Sequence, residues 1–132
     1  MNPGDTLFSS SRHFQLWSYG AGHSELILRS RFPPDETPVE LYFEAVRSVH
    51  FDRLDFPELT VYRAEDEVLQ SERYRFPYLR IELRSPDHTG VVVASSLTYI
   101  DGTRVKGTRA WSVGRPAWWT EVADLTTGVT KG

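Results

Sequence analysis

The sequence predicts a mainly β protein, an antiparallel sandwich or half-open barrel of about seven strands with a short C-terminal helix. Three observations predict it. Apolar and polar residues alternate with a period of two in several segments, as in Val39-Glu40-Leu41-Tyr42-Phe43-Glu44-Ala45. Segments rich in β-branched and aromatic residues recur, and polar turns with glycine, proline or aspartate separate them.

In chain order, residues 13–19 and 24–30 read as an N-terminal hairpin, because Gly20-Ala21-Gly22 between them can supply the positive φ of a reversal. Residues 31–38, with Pro33, Pro34 and Pro38, read as an exposed loop. In the next strand Val39, Leu41, Phe43 and Ala45 fall on one face, and Glu40 and Glu44 are expected to face water. Residues 59–64 form a short strand. Residues 64–72 contain good helix formers but only Val68 and Leu69 to bury, which supports a helix of one or two turns or a solvated loop. Residues 78–84 place Leu79, Ile81 and Leu83 inside and Arg80, Glu82 and Arg84 outside. Residues 85–90 read as the hairpin loop to a strand at 91–100. Asp101-Gly102, or a longer loop ending at Gly107, then leads to a strand at 109–113. Pro116 suits a first helical position, Gly128 lies past the end, and Trp118, Val122 and Leu125 would share one helical face, although Trp, Thr and Val also form strands. The fold alternative is an α+β sheet with that helix covering one face.

The 132 residues, 39% hydrophobic and 25% charged, are expected to form a single folded domain across 1–132, and no repeat or linker divides them. Cysteine is absent, which excludes disulfides, thiolate zinc sites and a Cys nucleophile. The start, Met1-Asn2-Pro3-Gly4-Asp5, lacks a basic and then apolar leader, and no apolar run is long enough for a membrane helix, so the expected location is the cytoplasm. A net charge of -3 argues against nucleic acid as a partner. Lys106 and Lys131 are the only lysines, and such an arginine bias points to a GC-rich, actinobacterial genome.

Candidate chemistry is sparse. His50 with Asp52 and Asp55 is the nearest approach to a metal site, without a His-x-His pair or a His-Glu-x-x-His helix, so no metal is expected. Gly22-His23-Ser24-Glu25 gathers residues of nucleophilic catalysis, but neighbours on a strand point to opposite faces, and a turn running into a strand explains it better. Ser95 and Ser96 read as packing or local hydrogen bonding. Glu65-Asp66-Glu67 reads as a solvated face, or as a negative patch for a basic partner. Gly20 and Gly22 do not continue into a dinucleotide fingerprint, so no cofactor is expected and no catalytic residue is assigned.

The aromatic residues, 13% of the chain, carry the functional expectation. Trp, Tyr and Arg dominate binding hot spots because they bury large areas at low entropy cost and still form hydrogen bonds. The expected partner-binding residues are Trp17, Tyr19, Arg29, Tyr42, Trp118 and Trp119. Leu16-Trp17-Ser18-Tyr19, His23, the run from Leu26 to Ser30 and that from Val39 to Val46 resemble a group of small actinobacterial β-rich proteins without an assigned function. The likeness covers about the first half of the chain and implies no catalytic residue. In composition the chain is also similar to immunity proteins that neutralise polymorphic toxins. The expected function is therefore non-enzymatic binding of another protein, with immunity-type inhibition of a toxin as one form. The alternative is a small-molecule-binding or hydrolytic barrel that uses His23, His50 and Asp52 around an interior pocket. Homodimerisation through sheet edges is a third reading.

Overall fold

A computed structural model of the chain describes residues 1–20, 24–30, 38–70, 75–101 and 110–114. They form ten strands: β1 (Thr6–Ser10), β2 (Phe14–Gly20), β3 (Glu25–Ser30), β4 (Val39–His50), β5 (Asp55–Phe56), β6 (Leu59–Arg63), β7 (Glu67–Gln70), β8 (Arg75–Ser85), β9 (His88–Asp101) and β10 (Ala110–Gly114). Among the described residues there is no helix. The mainly β, antiparallel class is as the sequence predicts. The expected C-terminal helix, including Trp118 and Trp119, lies outside the described residues.

The strands run in the order β1-β6-β8-β9-β4-β3-β2-β5, with β10 also on β9 and β7 also on β8. The sheet is open, since β1 at one end and β5 at the other do not pair. It is nonetheless strongly curled. Phe8 on β1 meets the Tyr99 ring on β9 at 5.1 Å and the Phe14 ring on β2 at 5.9 Å, although β6 and β8 separate β1 from β9 in the sheet. Short links enforce the curl: Ser11 to His13 join β1 to β2, and Pro57 and Glu58 join β5 to β6.

The curl encloses one core. Phe14, Leu28, Leu41, Phe43, Phe56, Ile81, Leu83, Val92 and Leu97 are all fully buried in it, each stabilising the fold by about 1.5–3 kcal/mol through removal from water. These are the inward positions of the period-two pattern, which explains why the central strands are legible from sequence.

The pattern slips where β4 and β9 turn a corner together. Ala45 has a φ of 51°, and the β4–β9 register shifts between Val46 and Ser48. Val92 and Ala94 face the core before the corner and Leu97 after it. The expectation for Glu44 and Ala45 is reversed as a result: Glu44 is only 3% exposed, while Ala45 faces solvent. Buried Glu44 accepts a hydrogen bond from Ser96 Oγ at 3.4 Å. The same corner is where β9 exchanges β8 for β10 as its neighbour, Ala94 pairing with Leu79 and Ser96 with Gly114. A Cβ on Gly114, whose φ is +87°, would lie 2.2 Å from the Ser95 carbonyl oxygen, so glycine is required there.

Three strands were not anticipated. β1 and β5 are too short or too polar to show a pattern. β7 replaces the expected helix or loop at 64–72: it pairs with β8 from Glu67↔Tyr78 to Gln70↔Arg75, where β8 runs beyond β9 and offers an edge. Glu67 is held there between Arg47 at 3.5 Å and Arg80 at 3.7 Å. The pairing opportunity overrides a weak local helical preference. The β8–β9 turn is also tighter than expected, because Ser85 pairs with His88 and only Pro86 and Asp87 lie between. Gly90 is a strand residue, and a Cβ there would fall 2.6 Å from the Phe51 ring. Among the described residues no helix is long and apolar enough to cross a membrane.

Candidate functional site

β2 is paired with β3 along its length but is bulged in the middle. Leu16 lies opposite Leu28 and Ser18 opposite Ile27, which leaves Trp17 as the extra residue with no cross-strand partner. The bulge turns the indole outward, and Trp17 is 53% exposed. Arg29 on β3 reaches over it, with the guanidinium carbon 4.7 Å from the ring centroid. Arg29 Nε also lies 3.6 Å from Glu40 Oε2, where Glu40 is its cross-strand neighbour on β4. A cation–π contact at an exposed site contributes about 0.5–1 kcal/mol, and here it holds both flat groups in one orientation. Tyr42, opposite Ile27, stands two residues along β4 from Glu40, on the same outer side.

The sequence-predicted residues Trp17, Arg29 and Tyr42 thus come together on neighbouring strands. Tyr19 does not join them. Its partner Leu26 is fully buried in the core, so Tyr19 belongs to the other side of the sheet, where it is 51% exposed at the rim. Trp118 and Trp119 lie outside the described residues.

The backbone adds a second feature. β5 pairs with β2 only at Phe14 and Gln15, and the Leu16 N–H donates to the Leu54 carbonyl at 2.8 Å. Beyond that point, among the described residues, 18–20 pair with β3 alone and Trp17 has no ladder partner. An unpaired strand edge with exposed aromatic side chains on both faces is a template for a further strand.

The histidine candidates disperse. His50 Nε2 lies 3.9 Å from Asp52 Oδ1, and both side chains are exposed. Asp55 approaches His13 instead, at 3.2 Å. His23 lies outside the described residues, and among those described no group of three potential ligands could hold a metal. Of the two adjacent serines, Ser96 serves the buried Glu44 at the corner.

A cleft of about 410 Å³ lies elsewhere, at the ends of β1, β6 and β8. Ser9, Thr60 and Arg84 stand abreast across the three strands on the outer side, and Ser9 Oγ and Thr60 Oγ1 are 3.2 Å apart. Ser10, Ser11, Glu58 and Ser85 complete its polar lining, with Leu59 and Pro86 beside them. Arg84 is already paired with Glu82 at 2.7 Å and lies 4.1 Å over the Tyr62 ring.

The β8–β9 turn beside the cleft is braced by charge. Asp87 accepts from Arg53 Nη1 at 2.6 Å and lies 2.8 Å from His88 Nδ1. The hydrogen bond to His88, and after it the Arg53 charge, hold the Asp87 carboxyl below its ordinary value. The His88 ring is stacked on Phe56 at 4.8 Å, and its side chain is 4% exposed. Its Nε2 and the Ser85 hydroxyl are both buried without a hydrogen-bond partner, a situation that costs about 1–3 kcal/mol per group. Sequence reading missed this cleft because its serines and threonine come from separated strands. Only the β1–β6–β8 pairing places them side by side.

No protein-family model, no curated protein and no solved structure matches the chain.

Proposed function

We propose that the chain is a non-enzymatic bacterial protein-binding domain that captures an extended segment of another protein along the edge of β2. The observation that carries this reading is Trp17, set out from the sheet by a bulge and covered by Arg29 at the end of β2 whose outer edge has no partner among the described residues. A partner strand added at residues 17–20 would gain main-chain hydrogen bonds, and Trp17 on one face and Tyr19 on the other would read its side chains. Arg29 and Tyr42 would form the flanking contacts. Immunity-type inhibition of a toxin in the cytoplasm is the concrete form we favour, since a net charge of -3 suits capture of a basic partner.

Affinity capture with the tagged chain from a bacterial lysate tests this. A protein should be retained in stoichiometric amount by the wild type and lost from a Trp17→Ala, Arg29→Ala variant that melts at the same temperature. Equal retention by both would refute the assignment of the surface.

A further inference from the structure

We propose that the segment taken up at the edge of β2 carries a lysine or arginine opposite Gly20, and that Glu25 reads this residue across the glycine. The chemistry so assigned to the partner rests on the strand-addition reading above. On that reading the segment places an apolar residue against Trp17 and, two positions along on the same side, the basic one.

The sides of the sheet fix which residues meet. Tyr19 lies opposite Leu26, which is fully buried in the core, so the pairs on either side of it, Gly20 with Glu25 and Ser18 with Ile27, face outward as Trp17 does. A strand added along the outer edge of β2 sets one residue opposite Gly20, two strand spacings or about 10 Å from Glu25. A side chain at position 20 would stand between the two. Glycine leaves that line open, and a glutamate and a lysine or arginine, both extended over it, close the span. Nothing in the fold asks for glycine there: its φ lies outside the left-handed region, and a Cβ would meet nothing within 4 Å.

The charges along the edge select a cation. Residues 17–20 carry none. Arg29, at the Trp17 end, is matched by Glu40 at 3.6 Å. Glu25, at the Gly20 end, has no ion pair among the described residues, which leaves its carboxylate as an uncompensated charge beside the edge. An exposed pair adds little affinity, but an acidic residue in the same place is repelled, so the carboxylate discriminates between partner segments more than it strengthens their binding.

The test is a titration of the isotope-labelled chain with three capped peptides, followed through the amide shifts of residues 17–20. The probes are Thr-Val-Thr-Val-Thr-Lys-Thr, the same peptide with glutamate in place of lysine, and the lysine peptide with proline in place of its central valine. The lysine peptide is expected to shift these amides saturably and to bind about fivefold more tightly than the glutamate peptide, and the proline peptide is expected not to bind. Glu25→Lys should reverse the order of the first two. Glu25→Gln should abolish the difference and serves if the lysine variant folds poorly. Gly20→Val should also remove most of the difference while the lysine peptide still binds. Equal binding of the lysine and glutamate peptides to the wild type, both requiring the central valine, would overturn the role of Glu25 and leave strand addition standing. No saturable binding by any peptide, or a proline peptide that binds as well as its parent, would overturn strand addition and the role of Glu25 together.

Discussion

The β8–β9 and β2–β3 hairpins are built from the same alternation of apolar and polar residues but have different surroundings. In β8–β9 the register is regular from Leu79↔Ala94 to Ser85↔His88, and each strand has a further neighbour, β6 on one side and β4 on the other. Ile81, Leu83 and Val92 are fully buried. In β2–β3 the ladder is bulged at Trp17, and among the described residues the outer edge of β2 has no partner after Leu16. Large aromatic residues that would be core in the first hairpin are half exposed in the second. Packing explains the residues of β8–β9, whereas it gives no reason for Trp17. The difference separates side chains that maintain the fold from those available for recognition.

Substitutions should divide along that line. The largest effect is expected at the centre: Ile81→Ala should lower unfolding free energy by about 2–5 kcal/mol, read from denaturant titration. Gly90→Ala comes next, at about 1–3 kcal/mol, because a Cβ would meet the Phe51 ring at 2.6 Å. A loss well below that range would show that Phe51 gives way and that this end of the sheet is more pliant than it looks.

The Asp87 brace should give a smaller, pH-dependent effect. Its carboxyl is held below the ordinary value in the folded chain, so its contribution is present above the unfolded carboxylate value of about 4. It fades as pH falls through the lower folded value. Asp87→Asn should flatten that acid limb of the stability profile while leaving other carboxylates to titrate; an unchanged limb would mean the brace contributes nothing. Smallest of all, Trp17→Ala should change stability by no more than about 1 kcal/mol, the scale of its contact with Arg29. A loss as large as at Ile81 would place Trp17 with the core and end the contrast between the hairpins.

Much of the fold was legible in the sequence for the same physical reason that makes the centre rigid. Strands with one fully buried face must keep strict alternation, so β3, β4, β8 and β9 declare themselves through Leu26 and Leu28, Leu41 and Phe43, Ile81 and Leu83, Val92 and Leu97. The Glu44–Ala45 slip could not be read, because a left-handed φ at a non-glycine residue leaves no mark in composition. β7 could not be read either, since it depends on the part of β8 that extends past β9 and on Arg47 and Arg80, both distant in sequence. Within the candidate site, residue type alone nominated Trp17, Arg29 and Tyr42, which do converge. Tyr19 was placed with them because the bulge that parts their faces was invisible. The cleft was missed since only strand order brings Ser9, Thr60 and Ser85 to it.

The proposed docking role of β2 requires that residues 17–20 receive a partner strand. Amide hydrogen exchange on the purified complex with the captured protein, compared with the free chain, tests it most directly. Slowed exchange is expected along the outer edge of β2 together with burial of Trp17, seen as a blue shift and quench protection of its fluorescence against a Trp17→Phe control. Protection confined to other strands, with residues 17–20 exchanging as fast as in the free chain, would contradict it.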